Sequence, residues 1–183
     1  MVMHGSKHTE LSGYNTMRQL PFMKALYDKK LKTERFPGLL QNLSVKTSPS
    51  TARNFPNMVF IDTPGLADGG LQYKFDVEEV LLWFTRHCDL VLVFLDPIGQ
   101  ALCQKTNKLV KRLMEEQDHA EVRFYMTKGD MFKSEEDRSK CMCQITQTLS
   151  STIKPAHGFQ MPLIYVPEEA NYYLSANRKL PDN

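Results

Sequence analysis

Residues 58–67 read MVFIDTPGLA, and this stretch decides the fold that the sequence predicts. Four consecutive apolar residues run into Asp62, and Gly65 follows three positions later. An unbroken apolar run predicts a strand that is buried on both faces, as the parallel strands of α/β sheets are. Open α/β sheets bind ligands beyond the carboxyl ends of their strands, so Asp62 stands where a ligand is expected.

The DxxG spacing of Asp62 and Gly65 suits the phosphate end of a nucleoside triphosphate. The carboxylate of Asp62 can hold Mg²⁺ through water, because Mg²⁺ keeps much of its hydration shell. The backbone N–H of Gly65 can approach the terminal phosphate closely, since glycine has no Cβ. Four-residue patterns of this kind also arise by chance at strand-to-loop junctions, so the interpretation needs a second motif.

The second motif is Thr127-Lys128-Gly129-Asp130, which follows a predicted strand over residues 122–126. The carboxylate of Asp130 can accept both the ring N–H and the exocyclic amine of guanine, a pair of donors that adenine lacks. The aliphatic stem of Lys128 can cover one face of the base, and Thr127 can tie the loop back to the phosphate loop. The order of the two motifs, with an apolar strand and a helix between them, predicts a guanine-nucleotide domain.

Composition and charge set the broad class of the protein. The chain has 183 residues, 42% of them hydrophobic and 24% charged, which is typical of one globular domain. A net charge of +2 gives no reason to expect a nucleic-acid partner. The 4 cysteines lack metal-ligand spacing, and neither a signal peptide nor an apolar run of about 20 residues is present. These features predict a cytoplasmic protein.

Hydrophobic periodicity and capping residues predict the remaining elements. Asp76 and Ser134 each begin a helix with an acidic residue three positions later, in a variant of the capping box. Trp83 is interpreted as a packing residue. Residues 68–70 are expected to form a mobile loop and residues 167–183 a polar tail. The predicted elements are a strand end at 1–3, a loop over 4–16, a helix over 22–31, strands at 43–47 and 58–61 in a hairpin, a helix from Asp76, a buried strand over 90–95, a helix over 104–116, a strand over 122–126, a helix from Ser134 to about residue 153, and a strand over 161–166.

Several segments together resemble the G domains of the dynamin superfamily, most closely the branch with the Eps15-homology-domain ATPases and sarcalumenin. The segments are VMHG (2–5), FIDTPG (60–65), DVEEVLLWFTRHCDLVLVFLDP (76–97) and YMTKGD (125–130). The likeness covers most of residues 1–166, with a loose match over 6–57. It implies a three-layer α/β fold like that of P-loop NTPases, with a mostly parallel sheet. It also implies GTP and Mg²⁺ as cofactors, dimerisation through the G domain, and a membrane-associated role.

The sequence departs from the family at the phosphate site. It contains no GxxxxGK[ST], so the phosphate-binding loop, its lysine and the Mg²⁺-binding hydroxyl are missing. The chain thus resembles a family member without its first strand and phosphate loop, either cut off or bypassed by an internal start. In the family that strand lies between the strands that here end at Asp62 and Asp96. Its loss leaves two apolar edges, which either pair directly or make the chain dependent on a partner.

Three functional hypotheses follow from these motifs. The first is a GTP-binding, dynamin-like GTPase domain that is truncated, impaired in nucleotide binding and unable to hydrolyse GTP alone. Its base site is Thr127, Lys128 and Asp130, and its phosphate and Mg²⁺ site is Asp62 and Gly65. The second is a non-catalytic interaction module that pairs with full-length G-domain relatives. The third is an adenine-nucleotide protein, because some Eps15-homology relatives use ATP despite a similar base motif.

Overall fold

The structure is a computed structural model that describes residues 1–28, 32–49, 55–66, 74–97, 103–116, 120–132, 134–151, 153 and 160–164. The predicted loop at 68–70, the tail at 167–183 and the end of the last predicted strand lie outside these residues. The chain forms two compact units. The first unit comprises Met1–Gly65 and Leu71–His87, and the second comprises Leu66–Gly70 and Cys88–Asn183.

Among its described residues, the first unit has six strands, three α-helices and a 3₁₀ helix over Pro21–Leu26. In chain order the elements are β1 (Val2–His4), β2 (Thr9–Ser12), α1 (Gly13–Gln19), β3 (Tyr27–Asp28), β4 (Thr33–Glu34), α2 (Leu39–Asn42), β5 (Ser44–Ser48), β6 (Val59–Phe60) and α3 (Val77–Thr85).

Four of these strands form one mixed sheet in the order β2-β5-β1-β6. β1 is parallel to β5 and antiparallel to β6, and β2 is antiparallel to β5. The predicted hairpin of residues 43–47 and 58–61 is therefore wrong, because β1 lies between β5 and β6. Non-local pairing of this kind leaves no mark on the local sequence, whereas a tight hairpin does.

The predicted loop over residues 4–16 is also wrong, because β2 and the start of α1 occupy most of it. Gly13 suggested a loop, but it lies where α1 packs closely against α2. A Cβ at Gly13 would lie 2.5 Å from the backbone oxygen of Leu40. The glycine thus serves close packing of two backbones rather than a turn.

β6 is much more exposed than its apolar sequence predicts. Met58 and Phe60 are each 52% exposed and Val59 is 42% exposed, and β6 pairs only with β1 among the described strands. The prediction of a strand buried on both faces is wrong here. Although the residue types favour burial, nothing in the described part of this unit covers both faces of the strand.

α3 forms much of the first unit's core. Asp76 is its N-cap, and its Oδ1 accepts a hydrogen bond from the backbone N–H of Glu79 at 3.2 Å, as the capping pattern predicts. Trp83 is 4% exposed and packs edge-on against Phe36, which confirms it as a packing residue. The predicted helix over 22–31 is shorter than expected, since the 3₁₀ turn ends at Leu26 and β3 begins at Tyr27.

The described part of the second unit is built on two parallel strands with α-helices packed against them. Its core is formed by buried residues of both strands and both helices, among them Val110, Met126, Ile145 and Leu149. The elements are β7 (Leu90–Leu95), α4 (Gln104–Glu115), β8 (Glu121–Met126), a 3₁₀ turn (Gly129–Met131) and α5 (Glu135–Ser150).

The sequence predicts these elements closely. β7 has the predicted bounds, and α4 ends one residue before the predicted end. Ser134 caps α5, with its Oγ accepting from the backbone N–H of Asp137 at 3.1 Å. The last predicted strand is represented by one parallel bridge between Met126 and Leu163.

β7 is buried on one face only, contrary to the prediction of a fully buried strand. Val91, Val93 and Leu95 face the core, whereas Leu90 and Leu92 are 45% and 44% exposed and Phe94 is 55% exposed. Among the described strands, β7 pairs with β8 alone. A run of six apolar residues does not reveal which of its faces is covered, because burial depends on neighbours that are distant in sequence.

The architecture is thus mixed α/β, with both parallel and antiparallel strand pairs rather than a mostly parallel sheet. In the described part of the chain, no helix has the length and apolar character needed to cross a membrane.

Candidate functional site

In the second unit the TKGD motif directly follows β8, beside the carboxyl end of the parallel strand β7. The two strands run in parallel register, with Leu95 beside Met126, so Asp96 and Thr127 follow at equivalent positions. The backbone N–H of Thr127 donates to the Leu95 carbonyl at 3.0 Å, and the Thr127 hydroxyl donates to the same oxygen at 3.2 Å. The threonine thus fixes the start of the loop to the neighbouring strand.

Lys128 adopts a left-handed backbone conformation, with φ 56° and ψ 37°. This conformation costs a non-glycine residue about 1–2 kcal/mol, because its Cβ approaches the following carbonyl oxygen. The Nζ atom of Lys128 lies 2.6 Å from Oδ2 of Asp96. The two side chains are 49% and 28% exposed, and ion pairs as accessible as this contribute only about 0–1 kcal/mol. The ion pair alone is therefore too weak to offset the backbone strain.

Gly129 and the residues around 163 fix the position of Asp130. The N–H of Gly129 donates to the carbonyl of Ile164 at 3.3 Å, and a Cβ at Gly129 would lie 2.8 Å from Leu163. Only glycine fits this space without a shift of Leu163. The chain then turns through Gly129–Met131, so that the carboxylate of Asp130 is exposed at the same edge as Asp96 and Lys128.

Asp96 is a candidate site residue that belongs to neither sequence motif. The signal for it was present, since Asp96 follows an apolar strand directly, as Asp62 and Thr127 do. Its pairing with Lys128 depends on the parallel register of β7 and β8, which the sequence does not specify.

Asp62 and Gly65 belong to the first unit, whereas Thr127, Lys128 and Asp130 belong to the second. Both residues of the DxxG motif follow β6 and are exposed. Partial burial lowers the pKa of the Met1 amino group, and the attraction of the Asp62 carboxylate opposes this shift. Asp62 therefore lies near a cationic group of its own unit.

The described residues offer little for a metal ion beyond the single carboxylate of Asp62. They contain no group of three or more histidine, cysteine or acidic side chains that could hold one. A Mg²⁺ ion held by one carboxylate depends on phosphate oxygens for its remaining ligands. The residues present therefore fit a nucleobase better than they fit a metal with a phosphate group.

Comparison with protein-family models gave no match, and comparison with curated proteins gave none either.

Proposed function

We propose that this chain binds a guanine nucleotide through a base site formed by Thr127, Lys128 and Asp130. The observation that carries the proposal is the position of this loop directly after β8, where Lys128 pairs with Asp96 at the carboxyl end of the parallel strand β7. This edge is where open α/β folds bind their ligands. The proposal includes a distant membership in the dynamin superfamily and a P-loop-like arrangement of the fold.

The chemistry of the loop favours a base with two adjacent donors. The exposed Asp130 carboxylate can accept the ring N–H and the exocyclic amine of guanine in a bidentate pair, which is stronger than a single neutral hydrogen bond because the acceptor is charged. Lys128 offers an aliphatic stem for one face of the base. An adenine base lacks this pair of donors, so ATP is the competing ligand that the experiment must include.

The set of residues proposed for phosphate binding is incomplete. Asp62 and Gly65 are the residues proposed for Mg²⁺ and the terminal phosphate, but the sequence has no GxxxxGK[ST] to surround the phosphates. Phosphoryl transfer depends on electrostatic stabilisation and positioning by such a loop. Weak nucleotide binding without hydrolysis is the activity proposed for this chain alone.

The test is binding of a fluorescent GTP analogue, with Mg²⁺, to residues 1–183, competed by GTP, GDP and ATP. We expect binding that GDP displaces and ATP does not, and that Asp130→Ala abolishes. The matched control is Asp89→Ala, which removes an exposed carboxylate directly before β7, at the opposite strand end from the TKGD loop. A folded chain that binds no nucleotide, or binds equally after Asp130→Ala, contradicts the proposal.

The exposure of β6 and β7 favours a second candidate, a non-catalytic interaction module. Met58, Phe60 and Phe94 are each more than half exposed on apolar strands, and such edges are prone to pair with other chains. In this reading the chain pairs with a full-length G-domain relative or associates peripherally with a membrane-bound one. Sedimentation velocity of the chain mixed with a relative that carries GxxxxGK[ST] tests it, and two independent boundaries at micromolar concentration contradict it.

A further inference from the structure

Lys128 combines a left-handed backbone with a side-chain ion pair that reaches the end of the neighbouring strand. Lys128 is one of only two non-glycine residues with positive φ in the described part of the chain, and its ammonium is held on the neighbouring strand end. Strained backbone of this kind persists where the surrounding structure imposes it, and it concentrates at ligand sites. Glycine or asparagine adopts this conformation more easily, but neither has a side chain long enough to reach Asp96 as Lys128 does.

We propose that Asp96 is a positioning residue for the nucleotide base, acting through Lys128; this inference rests on the proposed function. Asp96 follows β7 and Lys128 follows β8, and the strands are in register up to Leu95 and Met126. The Nζ of Lys128 therefore reaches from one strand end to the other to meet Asp96. The aliphatic stem of Lys128 thus runs from the backbone after β8 to the ion pair with Asp96, and a planar base can lie on this apolar stem.

The same ion pair also keeps the cation of Lys128 on Asp96 and leaves Asp130 exposed to a ligand. Lys128 and Asp130 are two residues apart in one tight turn, so a released ammonium would be attracted to the Asp130 carboxylate. That attraction would compete with the donors of the base. Asp96 thus has two effects, both exerted through Lys128: it orders the stem, and it keeps the base-reading carboxylate available.

A positioning role of Asp96 predicts how the effects of substitutions at Asp96 and Lys128 combine. If Asp96 acts through Lys128, then Asp96→Asn weakens binding in the parent chain but has no further effect after Lys128→Ala. Ordering a free lysine costs rotamer entropy on binding, and the competing attraction to Asp130 adds to that cost. We expect Asp96→Asn to weaken binding of guanosine diphosphate about threefold, which corresponds to about 0.7 kcal/mol and lies within the range for so accessible an ion pair.

The experiment measures binding of a ribose-labelled fluorescent guanosine diphosphate to residues 1–183 and to the variants Asp96→Asn, Lys128→Ala, the double variant and Asp96→Glu. Glu121→Gln is the matched control, because it removes another exposed ion pair, that of Glu121 with Arg123 within β8, at the strand end away from the site. Circular dichroism confirms that each variant is folded. We expect Asp96→Glu to retain most of the affinity and Glu121→Gln to retain all of it.

Different measurements distinguish a failure of this inference from a failure of the proposed function. A parent chain that does not bind the probe overturns the proposed function and this inference together. If the parent binds and Asp130→Ala abolishes binding, but Asp96→Asn binds as the parent does, the base site stands and the role of Asp96 is overturned. Additive losses from Asp96→Asn and Lys128→Ala overturn it as well, because Asp96 then acts independently of the lysine.

Discussion

Gly129 offers the sharpest test of how the candidate site is built, because a methyl group there would clash with the side chain of Leu163. A Cβ at Gly129 would lie 2.8 Å from Cδ2 and Cγ of Leu163 and 2.9 Å from Cδ1. Inserting a methyl group into a filled space costs about 1–3 kcal/mol. Replacing glycine by alanine at an unstrained φ returns about 0.4–1 kcal/mol through the unfolded state. We therefore expect Gly129→Ala to destabilise the second unit by about 1–2 kcal/mol.

The reasoning also predicts a rescue. Leu163→Ala removes the atoms that the new methyl group would meet, so the double variant should be more stable than the sum of the single effects implies. Residues in direct contact show coupling energies of about 0.5–3 kcal/mol, and we expect about 1–2 kcal/mol here. The matched control is Asn15→Ala, at an exposed position of α1 in the first unit.

Native-state hydrogen exchange is the assay, because it reports on each unit separately. The N–H of Met126 donates to Pro162 and that of Ile164 donates to Met126, so both amides report on the strands beside Gly129. Trp83 is the only tryptophan of the chain, and its fluorescence reports on the first unit. Coupling below about 0.5 kcal/mol between Gly129→Ala and Leu163→Ala would refute the proposed packing, since additivity is what distant residues show.

Three further predictions concern the exposed face, a helix cap and the thiols. Phe94→Lys should reduce self-association of the chain in sedimentation experiments. Because the Phe94 side chain is 55% exposed, the substitution should change the free energy of unfolding by no more than about 0.5 kcal/mol. Unchanged association would show that this face of β7 does not mediate contacts between chains. Ser134→Ala should cost about 1 kcal/mol and speed amide exchange at the start of α5, whereas Ser150→Ala should not; equal effects would contradict a capping role. Burial raises the pKa of the Cys88 thiol, so below that pKa Cys88 should be alkylated more slowly than the exposed Cys143, and equal rates would argue against burial. The raised pKa also means that the stability which the neutral Cys88 thiol contributes should fall as the pH rises above the pKa of an unfolded cysteine.

The sequence alone determined the features that depend on near neighbours in the chain. Apolar runs and capping residues located β7 and the beginnings of α3 and α5, because strand bounds and N-caps are set within a few residues. The sequence also placed the TKGD loop directly after a strand, where the structure has it. The predicted roles of Asp62, Gly65 and the three base-site residues remain predictions.

Only the tertiary structure decided which surfaces are covered and which residues meet across strands. β1 separates β5 from β6, which replaced the predicted hairpin, and one face of β7 stays exposed although its sequence is apolar throughout. The contact of Asp96 with Lys128 likewise exists because two distant strands run in parallel register. Pairing and burial depend on residues far apart in the chain, and a local pattern of apolar and polar residues does not specify those partners.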